Sequence, residues 1–191
     1  MKSEVIPLFP SVVHRLDVEN YPQVKERVIK FIYEEQKKDP QGRSRSNVGG
    51  WQSHDEYINE DNILRQIVDS PVSGYFDKVK VRLLNLWVNI NKKGDYNEKH
   101  HHPQSDLSGV MWIKVPSNSG RIWFDSPHNF KGYNEINSYS KKFKSDFSNY
   151  LDYWFSPMEG RMILFPSYLY HRVEPSQADE DRISVSFNVG F

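Results

Sequence analysis

The stretch RISVSFNVGF, residues 182–191, closes the chain and alternates between polar and apolar side chains. This alternation predicts a β-strand with two different faces. One face carries Arg182, Ser184, Ser186 and Asn188, and the other carries the apolar residues between them. For this strand alone two interpretations stay open: an ordinary sheet with one face in water, or the wall of a barrel whose cavity holds a polar ligand.

An earlier stretch, residues 84–91, repeats the pattern and favours the second interpretation. Its apolar residues alternate with Asn85, Trp87, Asn89 and Asn91. A barrel with a polar cavity needs polar groups that point inward and an apolar outer face that helices or a second sheet cover. Two strands with such faces therefore predict a ligand cavity.

The order of the predicted elements indicates a mainly β domain of the α+β class. Proline residues place a first strand, over residues 5–16, at a sheet edge. Two helices follow, from Asn20 to Lys38 and around residues 63–68. Further strands are predicted at residues 51–53, 79–91, 108–115, 121–124, 161–166 and 182–191. Early helices and late strands favour an antiparallel sandwich or barrel with helices on one face.

The length of 191 residues predicts one domain, residues 1–191. We expect helical support over about residues 17–76 and the β core over about residues 79–191. The polar, aromatic segment 126–153 has no core pattern. It is interpreted either as a flap that covers a site and selects the substrate, or as a mobile surface excursion.

Composition excludes several function classes. The formal net charge is zero, so charge gives no case for nucleic acid or an anionic membrane surface. The absence of cysteine excludes disulfides, thiolate zinc sites and cysteine nucleophiles, and it is compatible with a reducing compartment. The first thirteen residues show neither a signal peptide nor a membrane span. We therefore expect a cytoplasmic protein, in the host cytoplasm if it is viral.

Three of the seven histidines lie together in KHHHP, residues 99–103. In an extended chain His100 and His102 share one face while His101 points to the other. Two imidazoles on one face can supply two corners of a metal site, and neutral imidazole suits iron, zinc, copper and nickel. The competing interpretation is an exposed basic loop. His171 follows a Phe-Pro turn, and a polar turn separates it from Arg182, which lies eleven positions later.

Four motifs in order resemble the Fe(II)/2-oxoglutarate-dependent oxygenase superfamily, most closely a bacterial and phage branch of it. The resemblance extends from about Leu84 to the C-terminus, and it is looser before that, through the opening strand and Trp51. The motifs are Trp87-x-Asn89, His100-x-His102-Pro103-x-Ser105-x-Leu107-Ser108-Gly109, Phe165-Pro166-Ser167 to His171, and Arg182-Ile183-Ser184-x-Ser186-Phe187-Asn188. The resemblance implies a double-stranded β-helix, a cupin-like jelly roll, with flanking helices.

The resemblance also implies roles for individual residues. His100 and His171 would bind Fe(II), while Arg182 would pair with the distal carboxylate of 2-oxoglutarate and Ser184 would hydrogen-bond to it. Face parity adds Asn89 and Ser108 as further contacts to this co-substrate. Trp87 and Trp112 are interpreted either as pocket walls or as core residues.

His102 departs from the family pattern, because an Asp or Glu usually stands at its position. Three interpretations stay open. His102 completes a three-histidine site, or water takes the third place, or a carboxylate from elsewhere does so, with Asp106 the nearest candidate.

The predicted function is oxidation of an unknown small-molecule or peptide substrate, with hydroxylation as the default outcome and release of succinate and CO2. One alternative is a cupin-like three-histidine metalloenzyme that does not use 2-oxoglutarate. Arg182 argues against it, since such a site needs no remote carboxylate anchor. Another alternative is a non-catalytic jelly-roll module that binds sugars or peptides, and a third is a degenerate oxygenase fold kept for interactions.

Overall fold

A computed structural model describes residues 4, 6, 9–55, 57, 61–128, 139–146 and 150–191. The helices of this described part are α1 (Tyr21–Lys38), α2 (Ile63–Tyr75) and α3 (Lys141–Asp146). Its strands are β1 (His14–Asp17), β2 (Asn47–Val48), β3 (Trp51–Gln52), β4 (Arg82–Asn91), β5 (Tyr96–His100), β6 (Leu107–Lys114), β7 (Ile122–Asp125), β8 (Asp152–Phe155), β9 (Arg161–Pro166), β10 (His171–Val173) and β11 (Arg182–Gly190).

The strands form two antiparallel sheets. One has six strands in the order β1-β9-β6-β11-β4-β3, and the other has five in the order β2-β5-β10-β7-β8. Most neighbouring strands are not consecutive along the chain, as in a jelly roll, where the chain crosses between two facing sheets. The predicted jelly roll with flanking helices is therefore confirmed.

Strand β11 lies in the middle of the large sheet, between β4 and β6. Its register places Ser184 opposite Asn89 and Ser186 opposite Trp87. Because side chains alternate along a strand, this register sets the two polar faces predicted from the sequence side by side. The opposite face of β11, with Val185 and Phe187, is fully buried.

Helices α1 and α2 cover that apolar face. Val28 and Ile32 of α1, and Leu64 of α2, belong to the same buried cluster as Phe187. The side-chain oxygen of Asn62 accepts hydrogen bonds from two backbone N–H groups in the first turn of α2 and so caps this helix. A second buried cluster lies between the sheets, with Val110, Trp112, Ile122, Phe124, Ile163, Phe165 and Leu169. Among the described residues, no helix is long and apolar enough to cross a membrane.

Some element boundaries differ from the predictions. The first strand starts at His14 instead of residue 5, and residues 5, 7 and 8 lie outside the described part. Helix α2 continues to Tyr75 despite Pro71. The segment 126–153 contains α3 and the first two residues of β8, which pairs with β7, so the C-terminal end of this segment belongs to the sheet. Residues 129–138 and 147–149, which the flap prediction also covers, lie outside the described part.

The contact between β6 and β11 depends on a glycine. A Cβ atom at Gly109 would lie 2.2 Å from Cζ of Phe187, whose side chain is fully buried. We expect Gly109→Ala to lower the free energy of unfolding by about 1–3 kcal/mol, because the core must be overpacked. The measurement is urea unfolding followed by circular dichroism.

Gly74 in α2 provides the matched control, since a Cβ there would meet nothing within 4 Å. Gly74→Ala should raise stability by about 0.5–1 kcal/mol, through helix propensity alone. Equal effects of the two substitutions would contradict the packing argument.

Candidate active site

Three histidines meet where β5 and β10 pair. His100 ends β5 and lies opposite His171, the first residue of β10. A hydrogen bond from the backbone N–H of His102 to the carbonyl of Ser167, at 3.0 Å, holds the loop after β5 close to β10. One ring nitrogen from each histidine can be chosen so that the three atoms lie within 4.8 Å of one another. This arrangement can hold one metal ion.

Hydrogen bonds fix the tautomers of two of these rings. Nδ1 of His100 lies 2.7 Å from the carbonyl oxygen of Glu98, and Nδ1 of His171 lies 3.0 Å from that of Leu169. A carbonyl oxygen can only accept, so each Nδ1 carries the proton. In both neutral rings Nε2 is the unprotonated nitrogen, as a metal ligand needs, and Oγ of Ser46 lies 3.4 Å from Nε2 of His100.

The His102 ring is held differently. Among the described residues, no hydrogen bond to its ring nitrogens is found. It packs instead against Trp87, with ring centroids 5.6 Å apart, and stacks on His171, with centroids 5.2 Å apart. No hydrogen bond therefore fixes which ring nitrogen of His102 faces His100 and His171 in the described part of the chain.

Burial keeps the three imidazoles neutral. It lowers the pKa of His171 to about 3 and that of His102 to about 4, and the neighbouring histidines act in the same direction. Burial also lowers the pKa of His100. Neutral imidazoles at physiological pH can bind a metal without first releasing a proton.

Arg182 is a buried cation without an anionic partner among the described residues. It is 2% exposed, its Nη1 lies 3.4 Å from Oδ1 of Asn91, and its Nε has no hydrogen-bond partner. Burial lowers the pKa of Arg182 to about 10, so the guanidinium stays protonated. An uncompensated buried charge costs roughly several kcal/mol. The planar guanidinium offers parallel N–H donors that match a carboxylate, so this site fits the distal end of 2-oxoglutarate.

The histidines and Arg182 line one cavity of about 890 Å³. Ser184 and Asn89 line it beside Arg182, and the buried Oδ1 of Asn89 has no partner among the described residues. Trp87 also lines it. A volume of this size accommodates a co-substrate and part of a second molecule.

Three predicted site residues lie elsewhere. Ser108 is not in the cavity lining, and its hydroxyl hydrogen-bonds to the side chains of Ser167 and Asn188 within the wall. Trp112 is fully buried in the cluster between the sheets, which agrees with its interpretation as a core residue. The Asp106 carboxylate accepts a hydrogen bond from the backbone N–H of Phe191 and is not a member of the three-histidine group.

Sequence reasoning missed several residues of the cavity wall. Ser46, in the loop before β2, lies 3.4 Å from Nε2 of His100, and Gln52 of β3 is buried beside β4. The sequence around Ser46 predicts no strand, and the predicted strand 51–53 is too short for its faces to be assigned. Asn85 and Asn188 also line the cavity, on the two polar faces that alternation predicts, although no role was assigned to either.

The comparisons with known proteins agree with this geometry. A family model described as "Putative 2OG-Fe(II) oxygenase" matches residues 85–188, more than half of the chain. The chain belongs to this family. It is thus an oxygenase that depends on Fe(II) and 2-oxoglutarate. No curated protein matched the chain in sequence.

Solved structures of low sequence identity share the fold. The α-ketoglutarate-dependent epimerase SnoN from nogalamycin biosynthesis has a TM-score of 0.64 at 14% identity, over 93% of this chain and 78% of its own. HygX from Streptomyces hygroscopicus, with nickel and 2-oxoglutarate bound, has 0.63 at 12%, over 94% and 82%. The collagen prolyl hydroxylase of Paramecium Bursaria Chlorella virus-1, a 2-oxoglutarate complex, has 0.54 at 14%, over 93% and 94%.

The histidine cluster predicts an acid-sensitive fold. The folded-state pKa values of His171 and His102 lie below their ordinary value of 6.5, so only the unfolded chain takes up these protons in mild acid. Their contribution to stability is present above about pH 6.5 and is lost as the pH falls toward the folded values. We expect the unfolding free energy of the metal-free protein to fall between about pH 6.5 and 4.

The matched variant is His102→Gln, because glutamine does not titrate. The difference in stability between the two proteins should change with pH across that window and should level off above it. A constant difference, measured by urea unfolding at each pH, would contradict the neutral state assigned to His102.

Proposed function

We propose that His100, His102 and His171 hold the catalytic Fe(II) and that Arg182 and Ser184 hold 2-oxoglutarate. The observation that carries this proposal is that the three-histidine cluster shares a cavity with a buried arginine for which the described residues supply no anionic partner. When bound, iron and 2-oxoglutarate supply the oxidation, in which O2 is consumed, succinate and CO2 are released and a C–H bond of the substrate is hydroxylated.

The protein residues supply binding, orientation and a shielded site. Arg182 offers two parallel donors to the far carboxylate, and Asn91 holds its Nη1. Ser184 and Asn89 face the same part of the cavity, and Ser184 provides a hydroxyl donor for this carboxylate. Nδ2 of Asn89 donates to Oγ of Ser186 at 3.2 Å and has a second hydrogen for the carboxylate. The histidine Nδ1–H groups keep His100 and His171 in the orientation that offers Nε2.

His102 supports a three-histidine site over the two alternatives. A third ring nitrogen lies within 4.8 Å of the other two, so water need not fill the third place. Asp106 is engaged at the end of β11. Three neutral ligands leave the metal with more positive charge than two histidines and a carboxylate would.

The cupin-like alternative without 2-oxoglutarate is less well supported. Such a site has no need for a remote anion anchor, whereas Arg182 is buried and has no anionic partner in the described part of the chain. A non-catalytic binding module would leave both the histidine cluster and this arginine without a role.

We propose that the substrate is a small molecule or a short peptide segment, because the remaining cavity suits a ligand of that size. We further propose that the protein works in the cytoplasm, of the host if it is viral, where a reducing environment keeps iron in the ferrous state. Fractionation of expressing cells would test the location.

The direct test is anaerobic addition of Fe(II) and 2-oxoglutarate to the purified protein. We expect a weak visible charge-transfer band under these conditions. When O2 is then admitted, we expect O2 uptake that depends on 2-oxoglutarate. Both should be lost in His171→Ala, and 2-oxoglutarate affinity should fall at least about a hundredfold in Arg182→Met, because a charge-assisted carboxylate contact is removed.

His101→Ala is the matched control. His101 adjoins two of the ligands in sequence, but it is exposed, contacts Tyr170 and lies outside the metal group. It should keep the band. Absence of the band in the unmodified protein would overturn the proposal. A band that does not depend on 2-oxoglutarate would favour the cupin-like alternative, and no effect of metal on melting temperature would favour the binding module.

The third ligand has its own test. His102→Asp should tighten binding of Fe(II) or Co(II) by about tenfold, because an anionic ligand replaces a neutral one beside a divalent cation. His102→Ala should weaken it by at least about tenfold. Anaerobic metal titration measures both, and an unchanged affinity in both variants would show that His102 is not a ligand.

A further inference from the structure

The cavity extends well beyond the part that 2-oxoglutarate would fill. Its wall follows the paired faces of β4 and β11, from Arg182 and Asn89 at one end to Asn85 opposite Asn188 at the other. Arg182 and Asn188 are six positions apart in β11, which places their Cα atoms about 20 Å apart. Trp87 lies between these ends, where its ring contacts the ring of His102. A five-carbon diacid held by Arg182 and the metal leaves the Asn85 end free.

A chain of side-chain hydrogen bonds ends at Asn85. It comprises Ser167, Ser108, Asn188 and Asn85, and we call it the amide relay. Its oxygen-to-oxygen distances are 3.0 Å from Ser167 to Ser108 and 2.7 Å from Ser108 to Asn188. Nδ2 of Asn188 then donates to Oδ1 of Asn85 at 2.7 Å. Ser167, Ser108 and Asn188 are all buried.

All hydrogen bonds of the amide relay point the same way, with the donor on the Ser167 side and the acceptor on the Asn85 side. Ser108 has a single hydroxyl proton and donates it to Oδ1 of Asn188, so Ser167 must be the donor in the bond between the two serines. Asn188 accepts with its oxygen and therefore donates with its nitrogen. The oxygen of Asn85 is thus occupied, and its Nδ2 remains as a donor.

This donor lies at the cavity surface. Charged residues on other elements line the same cavity, namely Arg43, Arg45, Asp55, Glu98 and Lys99. Asn85 is half-buried and lines the cavity, and no hydrogen bond from its Nδ2 to another described residue is found. Its neighbours on the two strands, Trp87, Ser186 and Asn188, are uncharged. An amide donor beside a flat aromatic ring suits a neutral, planar group that carries an oxygen acceptor.

We propose that Asn85 is a substrate-specificity residue, which binds a neutral carbonyl group of the substrate, an amide or a lactam, beside Trp87. The statement that the bound molecule is oxidised there rests on the function proposed above. The binding preference itself does not, because the amide relay is built from protein side chains alone.

Two isosteric substitutions test the relay from opposite ends. Asn85→Asp keeps an oxygen that accepts from Asn188, but it replaces the donor that faces the cavity by an acceptor. Asn188→Asp still accepts from Ser108, but it can no longer donate to Asn85. The Asn85 amide must then turn, so that its nitrogen donates to the new carboxylate and its oxygen faces the cavity. Both substitutions therefore remove the same donor.

The probe is N-methyl-2-pyridone, a flat ring whose strong polar atom is a carbonyl oxygen. Its affinity is measured by ligand-observed NMR on the metal-free protein and on the protein with Zn(II) and 2-oxoglutarate. We expect the unmodified protein to bind it, and each variant to bind it about tenfold more weakly, as for loss of one buried hydrogen bond. Benzylammonium, a flat ring with donors only, should show the opposite preference.

Asn97→Asp is the control for added charge, since Asn97 lines the same cavity outside the relay. It should leave pyridone affinity unchanged. Asn85 is only half-buried, so Asn85→Asp carries the test if Asn188→Asp fails to fold. Equal pyridone affinity in the unmodified protein and Asn85→Asp, or no binding to either, would overturn the proposal. Failure to load Zn(II) and 2-oxoglutarate would instead count against the proposed function.

Discussion

The pairing of β4 with β11 is the constraint on which the site depends. Their register places Arg182 opposite Asn91 and Ser184 opposite Asn89, so that one continuous polar surface runs along two adjacent strands. A slip of one residue in either strand would turn its polar side chains toward the helices and its apolar ones into the cavity. The buried cluster beneath, which includes Val88 and Phe187, fixes the register by its burial. The core that stabilises the domain thus also aims the polar groups of the site.

The cavity is built at a cost in stability. Arg182 is desolvated and no described residue gives it an anionic partner, and three imidazoles are held close together in their neutral forms. Each of these features opposes folding, because the charged arginine loses water and the histidines give up protonation that the unfolded chain has in mild acid. A carboxylate at Arg182 and a divalent cation between the imidazoles would offset both costs. Binding of a ligand to these groups should therefore raise the free energy of unfolding.

The sequence carries the parts of the fold that local patterns encode. Alternation identified β4 and β11, and through them the polar face with Arg182 and Ser184. Asn89 and Ser184 line the cavity, as face parity predicts. Ser108 does not line it, because its hydroxyl is hydrogen-bonded to other side chains of the amide relay. Asp106 shows where face parity fails. Pro103 and the turn after it interrupt the alternation, so the Asp106 carboxylate accepts a hydrogen bond from the backbone N–H of Phe191 and does not join the histidines. Ser46 and Gln52 approach the site through pairing with distant strands, which no local pattern reveals.

The third histidine can be understood from how its ring is held. His100 and His171 are each fixed by an Nδ1–H bond to a backbone carbonyl two residues earlier in the chain, so their geometry follows from the strands themselves. His102 lies beyond the end of β5, and its ring rests on Trp87 and His171. Stacking fixes the plane of a ring less strictly than a hydrogen bond fixes its direction, so the orientation of the His102 ring depends most on what else the cavity holds. The residue that departs from the family pattern therefore contacts Trp87 on one side and the proposed metal ligand His171 on the other.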